Sequence, residues 1–499
     1  MRRRYRFGPI ERRTVFGPLD APQAVTVGGA AVLAMAAFVA LGGVVGLGSG
    51  FVVLAAGLAA ISVPIEGRSA HEWAPATFGW WRRRLEGKLD YRSRAARAGT
   101  RFTPDGDPTH ELSLPAELAG LELLSVQYGG SEVGVMRDPK AGTYTVALAV
   151  RGGAFIMRDA AEQERKLEAW GDVLASTARD GSPVRRIQWL EQTAPEAGDD
   201  LLAHFEAHRD RAVPVDSDPL RSYVELLKGA TPASASEEHD SFVAVQISER
   251  LGARELRRLG GGVEASCELA VREAESLAER MEPADLRVLG LLRPRQYAAH
   301  LRNAYDPFGR AGRDRLAVAD PTREGVEPAL MGPMAAEESW SQYRTDSAWH
   351  TTWWISSWPR SEVGPMFMVP LLMGSGSMRT VAVTIEPVPY SQAMRRAEAA
   401  QTAEVTDEIQ RSRQGYVTTA RIRRRADAVS RREEELADGH ALVRIAGWVT
   451  TSRGDVDGLE RAVGPTEHAA ALARLGLQRA YGEQAAAFAN TLLLAGGLG

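Results

Sequence analysis

The chain has 499 residues, a formal net charge of −4 and a single cysteine. A length of this size holds about three folded units, and the near balance of 60 basic and 64 acidic residues excludes the global signature of a nucleic-acid binder. The lone Cys267 excludes an intrachain disulfide and a cysteine zinc cage, and its neighbours Ala265, Ser266 and Leu269 read as a helix interior around an inert thiol.

Residues 1–20 form a short arm rich in arginine. Behind it, Ala21–Ile65 is a stretch of 45 residues without a charge. A membrane-spanning helix takes roughly 20 apolar residues, so the stretch accommodates two spans and a tight turn. The pattern predicts a first span over Gln23–Val45, a turn at Gly46-Leu47-Gly48-Ser49-Gly50, and a second, shorter span over Phe51–Val63 that ends at Pro64. Arg2, Arg3, Arg4, Arg6, Arg12 and Arg13 precede the stretch, and Arg68, Arg82, Arg83, Arg84 and Lys88 follow it. Positive flanks stay on the cytoplasmic side, and only an even number of crossings satisfies both. A multi-pass hairpin in the cell membrane is therefore expected, with both termini and the soluble bulk cytoplasmic. The alternative is a buried soluble helical hairpin. Gly42, Gly46 and Gly50 repeat at the spacing of a helix-contact motif, and loop glycines fit two of them equally well. Glu11 and Asp20 in the leading region, with no small-residue cleavage site after the apolar run, argue against a secretory signal.

Ser69–Arg94 carries Trp73, Trp80 and Trp81 beside Arg82, Arg83 and Arg84. Indoles favour the headgroup level and guanidinium groups favour anionic lipid, so these six residues are the candidate lipid contacts. A plain amphipathic helix packed on the soluble part is the alternative. Ala95–His110, punctuated by Gly, Pro and Asp, reads as a linker.

The remainder is expected to be an α+β body. Thr143–Val150 alternates as a strand, and Val133–Arg137 pairs with it across Asp138-Pro139-Lys140-Ala141-Gly142. Asp159 is the N-cap of a helix over Ala160–Ala178, and Val184–Leu190 is the returning strand. Asp199–Lys228 reads as helical and Gly229–Glu238 as a loop. The order then recurs with strand Phe242–Ile247, helix Ala253–Met281 broken at Gly260-Gly261-Gly262, and strand Leu286–Leu292. A third pass begins with strands Thr351–Ile355 and Thr380–Glu386. Ser391–Glu435 is a long charged helical stretch, a hairpin or arm. A last unit runs from strand Ala441–Thr450 through helix Val456–Tyr481 to the apolar Thr491–Leu494. Repeated split βαβ units of this kind suggest ferredoxin-like modules. The expected division is 1–68 for the arm and hairpin, 69–110 for the interfacial segment and linker, 111–228 and 229–348 for two α/β units, and 349–499 for a third, with its arm over 391–436.

No phosphate-cradling GxxxxGK[ST] loop occurs, and Gly260-Gly261-Gly262 within a helical stretch reads as a hinge rather than a nucleotide site. His204 and His208 stand four apart around Glu206, but without HExxH or a third ligand they read as solvated side chains rather than a metal site. Glu433, Glu434 and Glu435 read as a solvated helix end. Trp349, Trp353, Trp354 and Trp358 around His350 read as core or a subunit interface. No constellation carries catalysis, so no enzyme, metal or cofactor is expected. Arg411, Arg413, Arg421, Arg423, Arg424, Arg425, Arg431 and Arg432 make the helical stretch strongly basic. The last six are candidate contacts for an acidic partner, anionic lipid or DNA; a helix merely solubilised by arginine is the alternative.

Four stretches together resemble one family: Glu168–Glu191, His350–Leu372, Arg379–Val388 and Arg432–Gly447. It is an actinobacterial group of integral membrane proteins associated with type IV secretion and conjugation-like loci. From His350 onward the order of elements also resembles the N-terminal, non-ATPase half of the conjugative ATPase, and the hairpin is similar to the small two-helix, PrgI-like subunit. The resemblance implies a membrane-anchored scaffold that self-associates and docks a separately encoded secretion ATPase; without a Walker loop, ATP hydrolysis is not carried over. Two other outlines fit less closely: the membrane component of a type VII secretion system, and a membrane-bound transferase without a P-loop.

Overall fold

The computed structural model describes residues 14–16, 19–62, 64–65, 68–94, 101–102, 108–109, 112–153, 155–195, 205–206, 208–214, 217–230, 237–310, 312–313, 324–373, 378–413 and 420–498. The first 13 residues of the arginine arm, most of the 95–110 linker and most of the loop expected over Gly229–Glu238 lie outside them.

Two helices open the chain, α1 (Ala21–Leu41) and α2 (Gly43–Ser62). Each is long and apolar enough to cross a membrane by length and composition, and their side chains are largely exposed. The turn between them falls earlier than expected. It is made by Gly42 and Gly43 at φ 61° and 53°, a left-handed conformation that costs glycine little. Gly46 and Gly50, predicted to be turn residues, instead lie inside α2 and face α1. A Cβ on Gly46 would sit 2.7 Å from the Phe38 carbonyl oxygen, and one on Gly50 would sit 3.0 Å from that of Ala34. Of the two readings of the glycine repeat, helix contact is the one these residues serve.

Helix α3 (Ala70–Leu85) follows and touches both α1 and α2. Its first turn is closed by Glu72, whose carboxylate accepts from the Ser69 backbone N–H at 2.8 Å. From there the chain joins a single 13-stranded sheet. In chain order its strands are β1 (Asp90–Arg92), β2 (Glu122–Tyr128), β3 (Ser131–Asp138), β4 (Thr143–Gly152), β5 (Val184–Pro195), β6 (Glu237–Ser248), β7 (Leu286–Leu291), β8 (Ala335–Glu338), β9 (Tyr343–Arg344), β10 (Trp349–Ser357), β11 (Met378–Pro387), β12 (Val443–Arg453) and β13 (Gly476–Arg479). Every ladder in it is antiparallel.

The β3–β4 hairpin forms where alternation predicts it. Asp138 Oδ1 accepts from the backbone N–H groups of Lys140 and Ala141 at 2.9 and 3.1 Å, and Gly142 takes φ 59°. Helix α4 (Ala160–Thr177), capped as expected by Asp159 on the Glu162 N–H, carries the chain from β4 to β5. These two strands do not touch. β6 lies between them, with Val245 opposite Val146 on one side and Ile187 on the other. Helices α6 (Ala253–Arg258) and α7 (Gly262–Met281) then lead from β6 to β7, which pairs with β4. The four strands stand in the order β5-β6-β4-β7.

The same spatial order recurs as β11-β12-β10-β13. Short α9 (Val369–Leu372) precedes β11, and α12 (Val456–Leu472) links β12 to β13. The two quartets meet edge to edge at β5 and β11, where Leu190 opposes Ala382. Two expected boundaries move. The helix read over Val456–Tyr481 stops at Leu472, Arg474 turns the chain at φ 57°, and Gly476–Arg479 becomes β13. Within the helix read over Asp199–Lys228, residues 205–206 and 208 are helical, 209–214 are irregular, and α5 (Asp218–Ala230) follows.

Alternation gives the sheet two apolar faces. On one, Tyr144, Val146, Leu148, Val243 and Val245 pack under α7, while Ile355, Val381 and Val449 pack under α9 and α12. On the other, Ala147, Leu190, Ala244 and Ala382 pack under α8 (Pro294–Tyr305), α13 (Gln484–Ala489) and the C-terminal segment. That last segment crosses both quartets. Gln188 Nε2 donates to the Asn490 carbonyl at 3.1 Å, its Oε1 accepts from Ala495 N–H at 2.9 Å, and Thr384 Oγ1 donates to the Gly496 carbonyl at 2.7 Å.

Candidate membrane-proximal interface

The six residues proposed to meet lipid all lie on α3, and the helix period divides them. Trp73, Ala76, Trp80 and Arg83 share one face at three- and four-residue spacing and are turned to the body. Trp73 stacks on Trp340 with centroids 5.9 Å apart and lies 5.6 Å from the ring of Tyr481. Trp80 meets Trp340 edge to face at 5.4 Å. Offset and edge contacts of this kind are the favoured aromatic geometries, each worth about 0.5–1.5 kcal/mol beyond area burial. Arg68 and Arg84 lie over the Trp73 and Trp80 rings, at 5.5 and 5.3 Å.

Arg83 is the polar member of this seat. Its Nη1 lies 2.8 Å from Glu338 Oε2 and 3.6 Å from Glu117, and its Nη2 donates to the Gly482 carbonyl at 2.5 Å. Glu338 also accepts from Ala485 N–H at 3.2 Å. Burial raises the Glu338 pKa, and the Arg83 charge works against that rise. The opposite face of α3 carries Ala74, Phe78, Trp81 and Leu85, all exposed, with exposed Arg82 and Arg84 at its rim. Trp81 and Arg82 thus face outward, Arg84 is exposed at the border with its guanidinium over the Trp80 ring, and Trp73, Trp80 and Arg83 bind the helix to the body. The spacing 73-76-80-83 was available to show this division, but the partners Trp340, Tyr481 and Glu338 carry no local signal of their role.

The basic stretch forms two helices, α10 (Tyr390–Arg413) and α11 (Ala420–Ala437), that pack together as an arm. Its base is built on Val388, Ala393, Ala397 and Leu436, and Ser391 Oγ donates to Asp180 at 2.8 Å. Arg431 is exposed on α11. The side chains of Arg421, Arg423, Arg424, Arg425 and Arg432, like those of Arg411 and Arg413, lie outside the described residues.

His204 lies outside the described residues and His208 is exposed. Among the described residues, no three His, Cys, Asp or Glu side chains group to hold a metal. Cys267 is buried in α7 with its pKa pushed up to about 11 by burial. Gly260 and Gly261, between α6 and α7, and Gly262, the first residue of α7, all take positive φ. Trp353 is fully buried and donates from Nε1 to Glu467 at 3.0 Å. His350 lies on the opposite face of β10, held between Thr345 Oγ1 and Ser452 Oγ at 2.7 Å each, with the Phe488 ring 4.6 Å away. An open hollow of about 610 Å³ lies between Ser361–Phe367 and Leu472–Arg474, bridged by a 2.8 Å hydrogen bond from Arg474 to Ser361. Comparison with protein-family models and with curated proteins returns no match.

Proposed function

We propose that the chain is a non-catalytic, membrane-anchored scaffold subunit of a type IV-like secretion or conjugation apparatus, docking a separately encoded secretion ATPase at the cytoplasmic membrane. The observation that carries this reading is the seat of α3. The helix touches both apolar helices, and one face is locked to Trp340, Tyr481 and Glu338 of the body. A body joined in this way cannot swing freely on its anchor, which suits a subunit that fixes a motor relative to a membrane. The α1–α2 pair is read as a two-pass hairpin whose arginine-rich flanks keep both termini and the sheet cytoplasmic. Each strand quartet is read as a ferredoxin-like unit, offering helix faces and sheet edges for self-association. The basic α10–α11 arm is the surface assigned to the acidic partner, with DNA as the other candidate contact.

The test is affinity purification of the full-length protein from membranes in mild detergent, followed by identification of what accompanies it. Recovery of an AAA-type secretion ATPase in stoichiometric amounts is the expected result. Recovery of the chain alone, with lipid, from cells shown to express such an ATPase overturns the proposal.

A further inference from the structure

Helix α3 has two faces, and the body occupies only one. On the other, Phe78, Trp81 and Leu85 recur at three and four residues and are 67 %, 56 % and 68 % exposed. Three large apolar side chains aligned on one helix face are not isolated surface residues; they form a stripe that a partner covers. Its position names the partner. Only seven residues separate the last residue of α2 from the first of α3, and α3 touches α1 and α2 directly. The helix that carries the stripe therefore starts close behind, and packs against, a pair of helices whose exposed surface is itself apolar.

The rim fits the same surface. Arg82 and Arg84 are exposed beside the stripe, followed by Lys88, Arg92 and Arg94. Glu86 lies among them, 2.7 Å from Lys88 and 3.7 Å from Arg82. Exposed pairs of this kind hold side chains weakly and leave the local excess of positive charge in place. An apolar stripe containing Trp, bordered by Arg and Lys, is the pattern of a helix that lies in a membrane interface, with attraction to anionic headgroups adding to apolar burial.

We propose that the outward face of α3 is a lipid-binding foot. Phe78, Trp81 and Leu85 seat at the headgroup–acyl boundary of an anionic leaflet, and Arg82 and Arg84 engage headgroup phosphates. The inference rests on the reading of α1 and α2 as a membrane hairpin and goes beyond it. With one face in lipid and the other locked to the body, α3 sets the angle at which the sheet leaves the membrane.

The full chain, with buried Cys267 replaced by Ala, is reconstituted in nanodiscs of phosphatidylcholine with or without phosphatidylglycerol. Spin labels are attached singly at Phe51→Cys, Phe78→Cys, Trp81→Cys, Leu85→Cys and Glu86→Cys, and their collisions with oxygen and with a water-soluble nickel chelate are compared. The expected result is lipid exposure at 51, interfacial depth at 78, 81 and 85, and water exposure at 86. Phosphatidylglycerol deepens the three middle labels, and Arg82→Gln with Arg84→Gln abolishes that deepening. Lipid exposure at 51 with water exposure at 78, 81 and 85 overturns the foot and leaves the hairpin standing. Water exposure at all five positions overturns both. Protection at 78, 81 and 85 from both reagents, with spin–spin broadening between copies, assigns the stripe to a second copy and overturns the lipid proposal.

Discussion

Arg83 and Glu338 face each other across the junction between α3 and the sheet, Nη1 to Oε2 at 2.8 Å, and the Glu338 side chain is only 2 % exposed. Removing one partner of a buried pair is costly because the other is left charged and desolvated. Arg83→Ala is expected to destabilise the junction by about 3 kcal/mol at neutral pH, and Arg83→Ala combined with Glu338→Gln to recover part of that loss. The pH dependence has a definite sign. Burial raises the Glu338 pKa in the folded protein, so the folded state holds this proton more tightly than the unfolded chain. The cost of the stranded carboxylate therefore shrinks as pH falls into the carboxylate range. Thermal melts of the single variant at pH 8 and pH 5 check this; an equal deficit at both argues against the stranded charge.

Trp340 gathers Trp73, Trp80 and Tyr481 around one ring. Trp340→Ala is expected to loosen α3 from the body by about 2–3 kcal/mol, below the usual cost of deleting a fully buried indole because this one is half-buried. Hydrogen exchange at residues 70–85 should accelerate while the amides of β4 to β6 keep their protection. Uniform acceleration across both would show that Trp340 supports the whole fold rather than the seat of α3.

Two buried histidines make the body acid-sensitive. Burial lowers the His350 pKa to about 3 and that of His300 to about 4, against an ordinary value of 6.5. Both are neutral in the folded protein at pH 5, whereas the unfolded chain binds a proton at each. Stability is therefore full above pH 6.5 and is lost as pH falls toward those values. Between pH 7 and pH 5 each contributes a loss of about 2 kcal/mol. His350→Gln, which retains groups able to meet Thr345 and Ser452, should remove roughly half of the loss. Denaturant titrations of both proteins at the two pH values measure it.

Much of the body is legible in sequence because its strands alternate. The TYTVALAV run of β4 and the RTVAVTIEP run of β11 place every second side chain on each face. The neighbours of each strand are not legible. β4 and β5 are consecutive around a helix, yet Val245 of β6 stands between Val146 and Ile187. That insertion depends on long-range packing of the two apolar faces, which no local pattern encodes. β13 escapes for another reason: Gly476–Arg479 is short, has little β-branched character, and follows a helix ended by Arg474 in a left-handed conformation without a glycine to mark it. The glycines of α2 mislead in the opposite direction. Between two apolar helices, glycine serves close approach as well as turning, and composition does not distinguish the two.

The C-terminal strap depends on Gln188, which is fully buried and bonded at both ends of its amide to the backbone of Asn490 and Ala495. Gln188→Leu preserves much of the volume but leaves a buried carbonyl and a buried N–H without their partner. About 2–4 kcal/mol is the expected cost, from two orphaned groups. The strap should then become the first segment that proteases cleave, with the chain from residue 490 onward released before the sheet is cut. Limited proteolysis with mass spectrometry of the released peptides tests this, and unchanged resistance would show that the packing of Leu492 and Leu493 and the remaining bonds, among them Thr384 to the Gly496 carbonyl, hold the segment without Gln188.

The hairpin gives the most direct test of the glycine contacts. A Cβ at position 50 lies 3.9 Å from the Ala34 Cβ, inside the roughly 3.5–4.5 Å separation that a disulfide takes. Ala34→Cys with Gly50→Cys, in membranes and with Cys267 replaced by Ala, is therefore expected to crosslink readily under mild oxidation. The Cβ at position 50 also sits 3.0 Å from the Ala34 carbonyl oxygen, a tight contact relieved by a shift of a few tenths of an ångström, whereas one turn before and two turns after position 50 the approach is closer still. A Cβ at Gly46 meets the Phe38 carbonyl oxygen and one at Gly57 meets the Ala30 Cβ. Gly57→Leu must push α2 away from α1, because neither a backbone nor a methyl group can yield. Loss of this close approach is expected to cost the pair about 1 kcal/mol, the scale of single contacts between helices in lipid, and to lower the crosslinking yield several-fold. Val44→Leu, on an exposed position of the same helix, should leave the yield unchanged. If Gly57→Leu crosslinks as well as the parent pair, the helices are held by their two-glycine turn and not by their facing surfaces.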